Sequence, residues 1–253
     1  MTALTKALIG VLLVVATIGV QAMRDIPEFL HVCPVREPEN EYETCVSNSI
    51  NYLKPYLKTG VPEYNIPSLE PLKLKKLSVS PTNGVQIMAT DINVDGASNF
   101  IINKVKIKLN PLDQILAEVD LPNILVEGNY EIDGKVLLLP LRGSGPMHGN
   151  FSDCRGICSI RIERYFDENG VEKARISEFK TKISVGKGTL NLENLFNGEK
   201  VLGDVVNSAI NNNFDLFLKE LSPLVEMALS DAFQQIADNI VQQFSFAQLF
   251  PGA

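Results

Sequence analysis

Apolar residues recur at every third or fourth position between residues 202 and 244, at Ile210, Phe214, Phe217, Leu218, Leu221, Val225, Ala228, Leu229, Phe233, Ile236, Ile240 and Phe244. This period predicts one helical stripe rather than alternating strands. At 1.5 Å per residue such a helix is about 60 Å long. Asn211, Asp215, Lys219, Glu226, Asp231, Gln235, Asp238 and Gln242 make up the polar side. Charges at nearly every turn exclude a membrane span, which needs about 20 unbroken apolar residues. Ser222-Pro223 interrupts the stripe without changing its phase. The pattern fits either one helix kinked at Pro223 or two nearly collinear helices with Ser222 as N-cap.

Upstream the period changes to two. Lys104, Lys106 and Lys108 alternate with Val105, Ile107 and Leu109, and Lys180 and Lys182 alternate with Phe179, Thr181, Ile183 and Val185. Each run predicts a strand with one wet and one apolar face. Asn83-Gly84, Asp95-Gly96, Asp133-Gly134 and Asn169-Gly170 sit between such runs and predict hairpin turns, hence an antiparallel meander. Residues 136–141 are apolar on both faces and predict a strand held between two layers. Nearer the N-terminus, Cys45, Ile50, Leu53 and Leu57 share the face of a short helix over residues 42–57, closed by Pro55 and Gly60. The proline-punctuated stretch 60–74 is expected to run extended over the surface. Because a long amphipathic helix needs a partner along its length, the expected fold class is α+β. A strongly curved antiparallel β-sheet is rolled around one long C-terminal α-helix, with a short N-terminal helix.

The leader adds a compartment. Lys6, an apolar run over residues 7–20 and the small-residue site Val20-Gln21-Ala22 read as a secretory signal over residues 1–22, leaving one domain over residues 23–253, secreted and extracellular. The net charge of −7 disfavours nucleic acid and anionic lipid as partners. Four cysteines in an oxidising compartment allow three pairings. Cys33 with Cys45 is the favoured pair. Cys154 and Cys158 would lie about 13 Å apart in a straight strand, and would pair only if Arg155-Gly156 made a tight turn. Two buried free thiols are the other reading. Asn150-Phe151-Ser152 is a glycosylation sequon, with Asn150 as the acceptor.

Residue patterns that carry catalytic chemistry are sparse in this chain. Of two histidines, His148 lies near Ser144 in the glycine-rich segment 143–149, which reads more simply as a turn between strands than as a nucleophile and base. His31, Cys33 and Cys45 lack a fourth zinc ligand. There is no nucleotide-binding loop or nucleophile elbow, so no enzyme, metal or cofactor is expected. What stands out is apolar surface along a helix facing a sheet. That surface is either a filled core or the wall of an elongated tunnel for a rod-shaped apolar ligand.

Several segments, in order, resemble the insect takeout and juvenile-hormone-binding protein family over nearly the whole mature chain. They are Cys33 and Cys45 ahead of a helix; Gly60-Val61-Pro62, Ile66-Pro67 and Glu70-Pro71-Leu72; residues 130–145 from Tyr130 to Gly143-Ser144-Gly145; and Asn194-Leu195-Phe196-Asn197-Gly198 with Gly203-Asp204 before the long helix and Leu249-Phe250-Pro251. The resemblance implies a tubular lipid-binding fold and a secreted monomeric carrier. Its small apolar ligand would be a juvenile hormone, another terpenoid or a fatty acid, and a receptor is a further expected partner. It places Tyr130 near the ligand's polar end. Phe214, Phe217, Leu221, Val225, Leu229, Phe233 and Ile236 on the helix, with Val105, Ile107, Val136 and Leu138 on strands, are the expected walls, and the N-terminal arm and first helix are the expected gate. Cys154 and Cys158 lie close together where the hormone carriers' second bridge spans much further, which favours the takeout branch.

Overall fold

The computed structural model describes residues 24–36, 38–79, 86–109, 113–136 and 139–253. The leader, Asn83-Gly84 and Leu138 lie outside the described residues. At the centre of the fold is one very long hairpin, β4 (Gln114–Val136) and β5 (Leu139–Phe166), paired in register from Gln114 with Arg161 to Val136 with Leu139. Asp133-Gly134 is therefore ladder, opposite Arg142 and Leu141, and not the expected hairpin turn. Residues 143–149, expected as a turn, are also an unbroken part of β5, and of the two-faced apolar run Val136 ends β4 while Leu139 to Leu141 open β5.

Shorter strands flank the hairpin end to end. β2 (Gln86–Asp95) pairs with the distal half of β4, and β3 (Ile101–Lys108) with its proximal half. Asp95-Gly96 thus joins two strands that continue along one edge of β4 and does not make a hairpin. Glu70 braces this junction, its carboxylate accepting from Gly96 N–H (2.7 Å) and from the Ser98 hydroxyl (2.7 Å). On the other side β6 (Glu172–Ser184) and β7 (Lys187–Leu192) share the edge of β5 in the same manner. β6 follows β5 through the Asn169-Gly170 turn, where Gly170 has φ 75°, as the turn dipeptide predicts. β1 (Leu72–Val79) adds to β2. The sheet runs β1-β2-β4-β5-β6 and does not close on itself.

The open seam is filled by helix. α2 (Lys200–Asn212) and α3 (Phe214–Val241) are separated at Asn213. Of the two readings at Ser222-Pro223, the structure takes the single helix, with Pro223 inside α3 and no restart at Ser222. Asn213 leaves the helical region (φ −126°, ψ 36°), and its amide donates to Ala209 O (2.9 Å), so its side chain does the work of a backbone turn. Near Pro223 the Ser222 hydroxyl donates to Leu218 O (2.7 Å).

α3 packs on both end strands, β1 and β6, and the second contact is polar. Leu192 and Leu190 of β7 exchange paired hydrogen bonds with the amides of Asn207 and Asn211 (2.8–3.0 Å). On β6, Ile183 N–H donates to Glu226 Oε1 (3.0 Å), Thr181 N–H to Ser230 Oγ (2.9 Å) and Ile176 N–H to Asp238 Oδ1 (2.8 Å). The match is geometric, because four helical residues rise about 6 Å and two strand residues about 6.7 Å. Asn207 to Asn211 against Leu192 to Leu190, and Glu226 to Ser230 against Ile183 to Thr181, each match a step of four on the helix to a step of two along an edge that would otherwise be open to pairing with another chain. Glu226, expected on the solvent side, is buried here, with Lys182 Nζ also donating to it.

α1 (Glu39–Thr59) is longer than expected, with Pro55 inside it and Gly60 as its cap. Residues 61–66 fold back in a short bridge between Val61 and Ile66 instead of running extended. The arm before α1 is held at the C-terminus by Val35 N–H donating to Pro251 O (2.8 Å). A last short helix, α4 (Phe246–Leu249), opens on a capping box between Ser245 and Gln248.

Candidate functional site

The interior divides into packed ends and a loosely packed middle. At the hairpin tip, Tyr130, Ile132, Val136, Leu141, Leu192 and Leu195 pack with Val206 and Ile210 of α2 and Phe217 of α3. Val136 and Leu141 have no accessible surface. Tyr130 is buried in this cluster with its hydroxyl donating to Glu193 O (2.7 Å). Burial pushes its pKa up to about 12. The hydroxyl expected to meet a ligand is therefore already engaged by backbone.

The expected helix walls separate into different neighbourhoods. Phe217 and Leu221 belong to the tip. Leu229, Phe233 and Ile236 pack on Leu72, Leu74 and Ile92 of β1 and β2, with the Phe233 ring also 5.9 Å from that of Phe179 on β6. Phe214 meets Phe151, ring centroids 6.0 Å apart. Val105 and Ile107 were expected to face the long helix, but they are buried with Cys33 and Tyr42 beneath α1. Their strand pairs with the proximal half of β4, and α1 covers that end. The remaining end is closed by Ile162, Ala174, Ile176 and Phe246.

Between these clusters lies a band of the sheet's inner face that none of them includes. Residues paired across antiparallel strands share a face, so the pairs Ala117 with Cys158, Val119 with Gly156, and Leu121 with Cys154 form one surface. Thr181 and Ile183 continue it opposite Cys158 and Gly156. The surface points inward, since Thr181 stands two residues from Phe179, whose ring meets Phe233 of α3. Ala117, Val119, Leu121, Ile183 and, on α3, Leu218 and Val225 each retain accessible surface. A Cβ built on Gly156, which is itself buried, would have one neighbour within 4 Å, Val119 Cγ2 at 3.3 Å. On β7, by contrast, a Cβ on Gly188 would fall 2.3 Å from the Phe214 ring.

Cys154 and Cys158 lie on this band as free thiols in continuous strand, without the tight turn their pairing requires. Burial raises both thiol pKa values. Asp153 adds to the rise at Cys154, and the Thr181 hydroxyl opposes it at Cys158. Cys33 and Cys45 are joined, with Cα atoms 6.0 Å apart, which removes two of the three residues considered for zinc. Among the described residues no group of three or more His, Cys, Asp or Glu is placed to hold a metal ion. Ser144 and His148 do not meet, being four residues apart on an extended strand, about 13 Å. His148 lies between Glu127 (3.5 Å) and Glu193 (3.4 Å). Two open surface clefts are also present. One of about 270 Å³ on the outer face holds His148 and Asn150, and one of about 520 Å³ beside α1 holds His31, Glu41 and Tyr52. Neither contains an expected wall residue.

These features match known proteins. The model of the haemolymph juvenile hormone binding protein (JHBP) family matches residues 11–251. The chain belongs to this family. Its relatives include the circadian clock-controlled protein daywake of Drosophila melanogaster, 23% identical over 241 residues, covering 91% of this chain and 90% of the relative. A putative beta-carotene-binding protein of Schistocerca gregaria is 23% identical over 213 residues, covering 84% and 85% respectively. The crystal structure of Epiphyas postvittana Takeout 1 superposes with a TM-score of 0.71 at 22% identity, covering 87% of this chain and 99% of that one. The JHBP family is one of binding proteins for small lipophilic ligands. Among the described residues no helix of this member is long and apolar enough to cross a membrane.

Proposed function

We propose that this JHBP-family protein is a secreted, non-catalytic carrier that holds one small lipophilic molecule against the inner band formed by Ala117, Val119, Leu121, Gly156, Ile183 and Val225. The observation that carries this reading is the space over buried Gly156, in an interior otherwise filled by packed clusters. Apolar surface moved from water into such a site gains about 25 cal/mol per Å². A terpenoid such as a juvenile hormone, a fatty acid or a carotenoid of the kind in the locust relative's name has the required shape and polarity. Val136, Phe217 and Leu221 would stand behind the tip end of the site as packed core without touching the ligand, and Val105 and Ile107 would support the α1 end. In this reading residues 1–22 are a cleaved leader, residues 23–253 one monomeric domain and Asn150, exposed on β5, a glycan acceptor. α1 and its disulfide-tied arm are the gate, and a receptor takes delivery. Native mass spectrometry of the secreted protein, followed by organic extraction, tests it. A stoichiometric apolar molecule is the expected result. An empty protein that also fails to bind phenyl-naphthylamine, terpenoids and fatty acids overturns it.

A further inference from the structure

The inner band is apolar except at one position. Thr181 is 5% exposed, and its Oγ1 is one of two buried side-chain polar atoms without a hydrogen-bond partner among the described residues. The other, Glu43 Oε1, belongs to a carboxylate whose second oxygen receives Lys106 Nζ at 2.9 Å, so that group is still partnered. Thr181 has only the Cys158 thiol within reach, off hydrogen-bond geometry and too weak a partner to satisfy a buried hydroxyl. Its backbone N–H is taken by Ser230 Oγ, and the side chain facing it across the strands is Cys158, whose thiol is a weak donor. A buried hydroxyl left unpaired destabilises the fold, and a valine of nearly the same shape would remove that cost. The hydroxyl sits in the end row of the band, one row from Gly156.

We propose that the Thr181 hydroxyl is the polar anchor of the ligand site, selecting a lipophile that carries a hydrogen-bonding oxygen, a hydroxyl or a carbonyl, part-way along or at one end of an apolar body. The proposal rests on the carrier reading and deepens it. A hydroxyl serves either role, donating to a carbonyl or accepting from an alcohol. In an apolar surround this single pairing separates an oxygenated ligand from a hydrocarbon of equal length, because the wrong ligand leaves the buried group unpaired.

The test is displacement of phenyl-naphthylamine by dodecanol and by dodecane from wild type, Thr181→Val and Thr181→Ser, with Tm recorded for each protein without ligand. Wild type is expected to prefer dodecanol by about 3-fold to 10-fold, the range of one net hydrogen bond. Thr181→Val should abolish the preference, leave dodecane affinity intact and raise Tm, while Thr181→Ser should retain the preference. Wild-type binding with a dodecanol preference unaltered in Thr181→Val overturns the anchor and leaves the carrier reading standing. So does equal weakening of both probes with a lowered Tm, which would make Thr181 a packing residue. Binding of neither probe by wild type overturns both.

Discussion

Tyr130 and Thr181 each bury a hydroxyl on the inner face of the same sheet, but in different settings. At the tip, Tyr130 is surrounded by α2, α3 and β7, and its hydroxyl finds Glu193 O. In the band, Thr181 faces Cys158 one row from Gly156, and its hydroxyl has no partner beyond that weak thiol. The difference teaches how to separate core from site when both are apolar. Fully packed surroundings with satisfied polar groups mark a structural region, whereas loose packing beside an unsatisfied group marks a place for something else.

The largest test of this contrast is Phe217→Ala. Removing a buried aromatic from the packed tip should cost about 4 kcal/mol by denaturant unfolding and leave phenyl-naphthylamine affinity unchanged. A parallel loss of affinity would merge the tip with the site. Next is the covered end, where Cys33→Ser with Cys45→Ser opens a loop of sequence separation 12 and should cost about 3 kcal/mol through the unfolded chain. Faster ligand release in the folded variant would make α1 the gate, and unchanged release kinetics would remove it from that role.

Two glycines give the most direct comparison. Gly188→Ala drives a methyl into the Phe214 ring and should cost about 2 kcal/mol by overpacking. Gly156→Ala meets only Val119 Cγ2 and should stay within about 0.5 kcal/mol of wild type, since alanine also suits a strand better than glycine. It should also lower ligand affinity by narrowing the space. Equal stability losses would refute the loosely packed band.

Tyr130→Phe should cost about 1 kcal/mol, one net hydrogen bond, without changing affinity. Its pH dependence has a definite sign. The folded phenol titrates at about 12, above about 10 in the unfolded chain, so the folded protein keeps a proton that the unfolded chain releases. This contribution is complete below about pH 10 and is lost as pH rises from there through about 12. Phenolate absorbance should lose one late-titrating phenol in the variant and keep that of Tyr42, which burial also raises.

The long helix, the alternating strands and the Cys33–Cys45 pair were legible in the sequence because each rests on local periodicity or spacing. The three turn dipeptides among the described residues were less reliable. Asn169-Gly170 makes a hairpin, but Asp133-Gly134 is absorbed by a ladder whose pairing continues to Val136 and Leu139. Asp95-Gly96 joins strands that share a neighbour without pairing to each other. A dipeptide permits a reversal, and partners distant in sequence decide whether it is used. The edge-capping side chains left a trace in the sequence, as Asn207 and Asn211, and again Glu226, Ser230, Gln234 and Asp238, step by fours beside the apolar stripe. The trace resembled an ordinary solvent face.

By itself the sequence determined the family, the α+β class and the inventory of apolar residues, since period and motif order are properties of the chain alone. Only the tertiary structure decided which of those residues fill the core and which leave room. A core leucine and a wall leucine present the same period and the same chemistry, and differ only in how many atoms from elsewhere in the chain come to meet them. The same holds for a hydroxyl. Tyr130 stood out in the sequence through its family motif and Thr181 did not, yet Tyr130 is satisfied by a carbonyl 63 residues away, and Thr181 is left for the ligand.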